Sequence, residues 1–310
     1  MSRNFGVGTR DLLRAGEMFV HQSELSFSSK ATIKMRWRKF CAFAKFHGIR
    51  KLEQINKSFL VCYGQSLQVQ IEKNTLSPAT AQNYVSAVNT VLNIATNNQW
   101  ESVRPTFDCH IDRRQRIAQT NKATSLAMHL KTQAAVSERL SVLLGLQRTL
   151  GLRFKESVLL DARAALKSSK RNNKIIISRG TKGGRKRQVP VTQEARHVLT
   201  KAAQLQDGAS MIPDNLNYHQ FQTRCYQEMI NHPCHFHGER HFYAQKRYKE
   251  ITGAPAPIAA NWLRKERLQK LAAYLSVDVE KASEIDQYAR LQIARELGHG
   301  REEVTNAYLG

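Results

Sequence analysis

One segment of the 310-residue chain reads clearly as paired strands, and it sets what the rest can be. Lys174–Ser178 (KIIIS) places three β-branched isoleucines in a row, Arg179–Arg185 (RGTKGGR) supplies a glycine-rich tip, and Arg187–Val191 (RQVPV) runs back. Such runs on either side of a glycine-rich tip predict a β-hairpin. The remaining periodicity is helical. The expected fold class is therefore mainly α: an all-helical N-terminal module, then a mixed α/β region that is mostly helical with a small antiparallel sheet.

In the first hundred residues, Leu12, Leu13, Met18 and Phe19 suggest a short helix. From about Lys30 to His47, Ile33, Trp37, Phe40, Cys41 and Ala44 recur at three- to four-residue spacing, with Lys34, Arg36, Arg38, Lys39 and Lys45 between them. A third helix is expected over 58–72. A fourth opens with Ser77 as N-cap and Pro78 at the first helical position, and stops at Asn97 and Asn98. The periodicity fails over 101–124, which holds Pro105 and the basic cluster Arg113, Arg114 and Arg116. The expected division is a helical module over 1–100, a basic linker over 101–124 and a second region over 125–310. The latter opens with a helix from Ser137 to Leu150 that turns at Gly151.

Charge narrows the partner. The chain carries 48 Lys and Arg against 25 Asp and Glu, a net +23. Residues 1–100 contribute +8 and residues 101–310 contribute +15, so both regions are basic. A folded surface with that excess holds polyanions by releasing counterions, and nucleic acid is the default partner. A ribosome-associated protein and one docked on anionic lipid are the alternatives. No apolar run approaches the roughly 20 residues that span a bilayer, and the N-terminus does not read as a secretory signal. Five scattered cysteines (Cys41, Cys62, Cys109, Cys225, Cys234) form no CxxC pair. That argues against a disulfide framework or a four-cysteine zinc site and fits a reducing cytoplasm.

Five places gather groups that could do chemistry. Arg153 follows the break at Gly151 with Glu156 one turn on, either a guanidinium held by a carboxylate or an ordinary surface pair. Lys182 sits on the hairpin tip, where glycines permit close approach to a ligand. His232-Pro-Cys-His-Phe-His237-Gly-Glu-Arg240-His241 is denser. On a helix beginning near His237, His237 and Arg240 share a face and could meet a phosphate, while His237 and His241 could bind zinc. The zinc reading lacks the acid that H-E-x-x-H requires, since Glu239 stands one place late. Gly298-His299-Gly300 exposes a histidine at a turn, and Tyr308 shares a helical face with Val304 and Ala307 as a core aromatic would.

Taken in order, these residues resemble the tyrosine recombinase (phage integrase) family. Its T-G-L-R-x-x-E-like motif matches Thr149-Leu-Gly-Leu-Arg153-Phe-Lys-Glu156 with one extra leucine. Its hairpin lysine matches Lys182 ahead of Arg187-Gln-Val-Pro-Val191, its H-x-x-R-H matches His237–His241, and its G-H matches Gly298-His299, nine residues before Tyr308. The resemblance covers residues 137–310; the helical module before them is similar, more weakly, to the family's four-helix (SAM-like) core-binding domain. The 243–248 continuation and the closing Tyr-Leu-Gly are similar to integrases of mobile elements rather than chromosome-dimer resolvases.

The resemblance implies a site-specific recombinase that integrates or excises a mobile element through a 3′-phosphotyrosine. Arg153 and Arg240 would clamp the non-bridging oxygens, being planar forks that stay charged. Tyr308 would be the nucleophile and Lys182 would protonate the leaving 5′-oxygen. His237 would be the general base for a phenol whose free pKa of about 10 makes it sluggish at neutral pH. His299 would hydrogen-bond the phosphate and Glu156 would orient Arg153. No cofactor, ATP or metal is implied. Expected partners are double-stranded DNA, three further copies in a tetramer on synapsed duplexes, and accessory directionality or architectural proteins; no membrane is expected, and the location would be the bacterial cytoplasm on DNA. Lys34, Arg36, Arg38, Lys39, Arg113, Arg114, Arg116, Arg185 and Lys186 would meet DNA, phosphates more than bases. The segment from Glu250 to Leu291 is long for the family and reads as a helical insertion. With two residues after Tyr308, coupling between protomers would use another surface, such as that insertion. The rival readings are a metal-dependent nuclease or zinc protein built on His232–His241, and a non-catalytic DNA-binding relative.

Overall fold

A computed structural model describes residues 3–310. The chain forms two compact units that divide between Gln115 and Arg116. In the first, α1 (Leu12–Gln22), α2 (Phe27–Phe46), α3 (Lys57–Glu72) and α4 (Pro78–Ala95) surround one core, followed by the single-turn α5 (Pro105–Asp108). Helix α2 starts three residues before the apolar spacing suggests, because Ser26 caps it by accepting from the Ser29 amide. Ser77 caps α4 by accepting from the Thr80 amide, with Pro78 in its first turn. Trp37 fills the centre, fully buried, and donates its indole N–H to the Leu13 carbonyl at 3.1 Å. Within 101–115, Val103, Cys109 and Ile111 are buried in this core, so that stretch is packed rather than tethering.

The second unit contains α6 (Leu126–Ala135), α7 (Glu138–Leu150), α8 (Phe154–Val158), α9 (Ala162–Asn172), β1 (Lys174–Ile177), β2 (Arg187–Pro190), α10 (Gln193–Leu205), α11 (Tyr218–Met229), α12 (Phe236–Thr252), α13 (Arg267–Leu275), α14 (Val279–Glu296) and α15 (Asn306–Leu309). Helix α7 is buried along most of its length, Gln147, Arg148 and Thr149 included, and packs between α10 and α12. The two strands pair antiparallel, Ile175 opposite Val189 and Ile177 opposite Arg187. Alternation buries Ile175 and Ile177 and leaves Ile176 exposed. A two-stranded ribbon is marginal alone; here β1 lies against α9 and β2 against α14.

The segment from Glu250 to Leu291 contains α13 and most of α14, around a small satellite core of Ala254, Leu271, Ala272 and Ala282. The chain end differs from the continuous helix expected to place Val304, Ala307 and Tyr308 on one face. A 3-10 turn at Glu302–Thr305 precedes α15, and the change of pitch leaves Ala307 exposed while Tyr308 and Leu309 are buried. No helix among the described residues is long and apolar enough to cross a membrane.

Gly16 lies directly against the Trp37 indole, so an added methyl would overlap the ring. Gly16→Ala should destabilise the first unit by about 1–3 kcal/mol, read in urea unfolding of the whole chain with hydrogen exchange to locate the loss.

Candidate active site

The site is assembled around one carboxylate. Gly151 ends α7 in the left-handed conformation (φ +60°), and a side chain there would come within 2.5 Å of the Tyr243 ring. The sharp exit carries Arg153 to the start of α8, where Glu156 accepts from both its amide and its guanidinium at 2.7 Å. The sequence pattern alone left open whether this pair was structural or exposed; Glu156 is 1% exposed. Period-two alternation turns Arg187 of β2 inward, and its fork meets the same carboxylate with two bonds of 2.7 and 2.6 Å. Arg240 approaches the carboxylate to 3.9 Å. Burial by itself would raise the Glu156 pKa, but the bonds and charge of Arg187, then of Arg153, hold it below the usual carboxylate value.

Arg240 is fully buried on α12. Its guanidinium donates to the Gly151 and Leu297 carbonyls, and its Nε lies 3.3 Å from the Tyr308 hydroxyl. Burial lowers its pKa to about 10, which leaves it charged at neutral pH. His299 Nε2 stands 3.4 Å from both Arg240 Nη2 and the Tyr308 hydroxyl. The rings of His237 and His241 lie 5.7 and 4.7 Å from the Tyr308 ring, centroid to centroid. Arg153, Glu156, Arg240, His299 and Tyr308 are thus brought together, with His237 at the rim.

These histidines sit in a positive field. Burial, then Arg240 and Arg153, depress His299 to about 3. Burial, then His237, depresses His241 to about 4, and burial with Arg240 lowers His237. All three are therefore neutral imidazoles at pH 7, able to accept a proton or hydrogen-bond an anion. Lys182 is exposed at the hairpin tip, near enough for its charge to act on His299. Arg185 and Lys186 line a cleft of about 580 Å³ with Arg247, Arg295 and His299, and Arg185 lies against Gly300.

The other basic residues expected at DNA are scattered. On α2, Arg38 pairs with Glu17 at 2.7 Å, Lys39 sits 5.8 Å over the Tyr84 ring, and Lys34 and Arg36 are half-buried. Arg113 and Arg116 are exposed, whereas Arg114 donates to Gln82 at 2.6 Å and Asn83 at 2.9 Å on α4. Among the described residues, no three His, Cys, Asp or Glu side chains gather into a metal-holding group. In the His232–His241 run, Cys234 is buried with its pKa pushed up to about 12, and donates to Glu239 at 2.9 Å.

Two parts of the site escaped the sequence reading. Arg187 is one of four cations in seven residues, and only the pairing register distinguishes it. Glu239, fully buried, accepts from Arg148 at 2.7 Å and lies 3.0 Å from His129, which fixes α12 against α6 and α7. Gly238 permits this by letting the 122–124 segment cross closely, with the Thr124 amide bonded to the Gly238 carbonyl at 3.2 Å.

Removing the charge of Glu156 would leave guanidiniums facing each other, so Glu156→Gln should cost about 3–5 kcal/mol of stability in urea unfolding. Acid should act in two stages. Native His299 and His241 resist protonation that the unfolded chain accepts at its ordinary value of 6.5, so stability falls as pH drops below about 6.5 towards 3. Glu156, depressed from 4.5, adds a further loss below that value. A pH series of unfolding curves checks both, and His299→Gln should flatten the first stage.

Residues 113–246 match the family model described as Integrase. No curated protein sequence gives a match. Among solved structures, the chain is similar to the Tn1549 transposon integrase in complex with circular intermediate DNA, at 11% identity and TM-score 0.51, over 97% of this chain and 96% of that one. It is also similar to a lambda integrase dimer bound to a COC′ core site, at 14% identity and TM-score 0.51, over 88% and 75%. A lambda integrase tetramer bound to a Holliday junction matches at 14% identity and TM-score 0.50, over 89% and 76%. The chain thus carries a segment, 113–246, that matches the Integrase family model, and it shares its fold with these integrase structures.

Proposed function

We propose that this protein is a site-specific DNA recombinase that cuts and rejoins strands through a 3′-phosphotyrosine on Tyr308. The observation that carries this is the convergence of Tyr308, Arg240 and His299 within 3.4 Å of one another, beside an Arg153 fixed by a buried Glu156. Three guanidiniums surround one carboxylate and the adjacent histidines are neutral, which leaves two positive charges over. A phosphodiester becoming five-coordinate gathers about that much negative charge, so the field favours the transition state over the ground state.

The Tyr308 oxygen attacks phosphorus, the phosphorus–5′-oxygen bond breaks, and the 5′-oxygen takes a proton from Lys182 on the exposed tip of the hairpin. The phenolic proton passes to a neutral imidazole. His299 is the one within hydrogen-bond reach, at 3.4 Å, while His237 would need Tyr308 to turn towards it on DNA, as catalytic bonds can tighten only in the complex. Because the phosphate ester energy is kept in the phosphotyrosine, a 5′-hydroxyl from a second duplex can reseal the strand without ATP, and the arginines supply the charge a metal would. Four copies on two duplexes, as in the lambda integrase tetramer on its Holliday junction, would complete an exchange. The net charge of +23 supports a duplex as the substrate, and integration or excision of a mobile element is the outcome the Tn1549 and lambda likenesses favour.

The test is to mix the protein with DNA flanking its own gene, quench in SDS and look for protein-linked DNA. Tyr308→Phe should abolish the adduct and leave DNA affinity nearly unchanged. Arg153→Ala should slow adduct formation by about 10²–10³-fold, as loss of one transition-state donor does. Adduct from Tyr308→Phe would refute the assignment.

A further inference from the structure

Tyr308 rides on α15, a helix of four residues, far too short to hold its own conformation. The last carbonyls of any helix lack partners within it, and here those of Asn306, Tyr308 and Leu309, with that of Gly310, find partners elsewhere in the unit. Asn306 O accepts from the Ala118 amide at 3.0 Å, Tyr308 O from Gln245 at 3.2 Å, Leu309 O from the Ile258 amide at 2.9 Å and Gly310 O from Arg290 at 3.1 Å. Arg290 also donates to the Asn306 side chain at 2.9 Å, so one guanidinium grips both ends of the helix that carries the tyrosine.

Arg290 is itself braced. It is 5% exposed, and its Nε donates to both oxygens of Asp286, one turn earlier on α14, at 3.0 and 2.9 Å. Asp286, 3% exposed, also accepts from the Tyr248 hydroxyl of α12 at 2.7 Å and from Arg267 of α13 at 3.5 Å. The segment from 250 to 291 therefore supplies both the Ile258 amide and the Asp286–Arg290 pair. Gly310 seats closely there: at φ +86°, an added Cβ would lie 3.3 Å from Ile258.

We propose that Arg290, braced by Asp286, is a positioning residue for the nucleophile, and that the 250–291 segment is the dock that seats Tyr308 in the active site of its own chain. A planar fork suits the task, because its separate donors reach the Asn306 side chain and the Gly310 carbonyl while its Nε stays on Asp286. The proposal rests on Tyr308 being the nucleophile. Arg290 is buried and its guanidinium bonds Asp286, Asn306 and Gly310 rather than the reacting atoms, so its loss acts on the rate of attack and leaves binding alone.

The test uses the full chain, with Arg290→Met, Arg290→Lys and Asn306→Ala, the last removing only one acceptor of the fork. On the DNA flanking the gene, Arg290→Met should slow adduct formation by about 10–100-fold, the penalty of a small misplacement of a reacting group. The DNA concentration at half-saturation should not change, and Arg290→Lys should recover part of the rate. Without DNA, hydrogen exchange should rise over 302–310 in Arg290→Met and, more weakly, in Asn306→Ala, with 138–150 still protected. Adduct formation at the wild-type rate in Arg290→Met overturns the proposal, as does an exchange increase spread over the whole unit. Absence of adduct from the wild-type protein would instead defeat the nucleophile reading, and the exchange pattern would still decide whether Arg290 holds the segment.

Discussion

The active site depends on a single buried carboxylate shared by several guanidiniums. Arginines cannot be gathered in a dry protein interior unless an anion offsets them, and Glu156 is that anion. It ties together parts distant in sequence: the turn after α7 through Arg153, the hairpin through Arg187 and helix α12 through the nearby Arg240. Arg187 extends the tie by donating to the Glu296 carbonyl at 2.6 Å, next to the turn that presents His299. The same cluster therefore also fixes the geometry of the groups around it.

A second buried carboxylate does the equivalent work on the opposite side of α12. Glu239, between His129, Arg148 and Cys234, fixes the rotation of a helix whose other face carries His237 and Arg240. Asp286 is a third, serving the chain end through Arg290. In each case a lone acid in a strongly basic chain is buried against arginine, where its charge interacts in a low dielectric. The surplus of cations remains on the surface.

Much of this was legible in the sequence, and the division is physical. Helix starts at Ser77 and the hairpin at 174–191 follow from local rules of capping and alternation, which act over a few residues. The order of Arg153, Lys182, His237, Arg240, His299 and Tyr308 stood out only as a set, through its resemblance to a family's motifs, since each residue alone has an ordinary structural reading. What could not be read were partnerships across the chain. Arg187 looks like its neighbours Arg185 and Lys186 until the strand register turns it inward. Glu239 appeared as a misplaced zinc-motif acid, and its contact with His129 spans 110 residues. The nearness of His299, rather than His237, to the Tyr308 hydroxyl depends on how the 298–300 turn is seated, which no spacing rule encodes.

The most direct test of the account is to identify the bond itself. DNA flanking the gene is treated with the protein, the covalent complex is digested with protease and nuclease, and the nucleotide-bearing peptide is sequenced by mass spectrometry. The account predicts a single modified peptide in which Tyr308 carries a 3′-linked phosphonucleotide. A nucleotide attached to another residue, or linked through its 5′-phosphate, would contradict it.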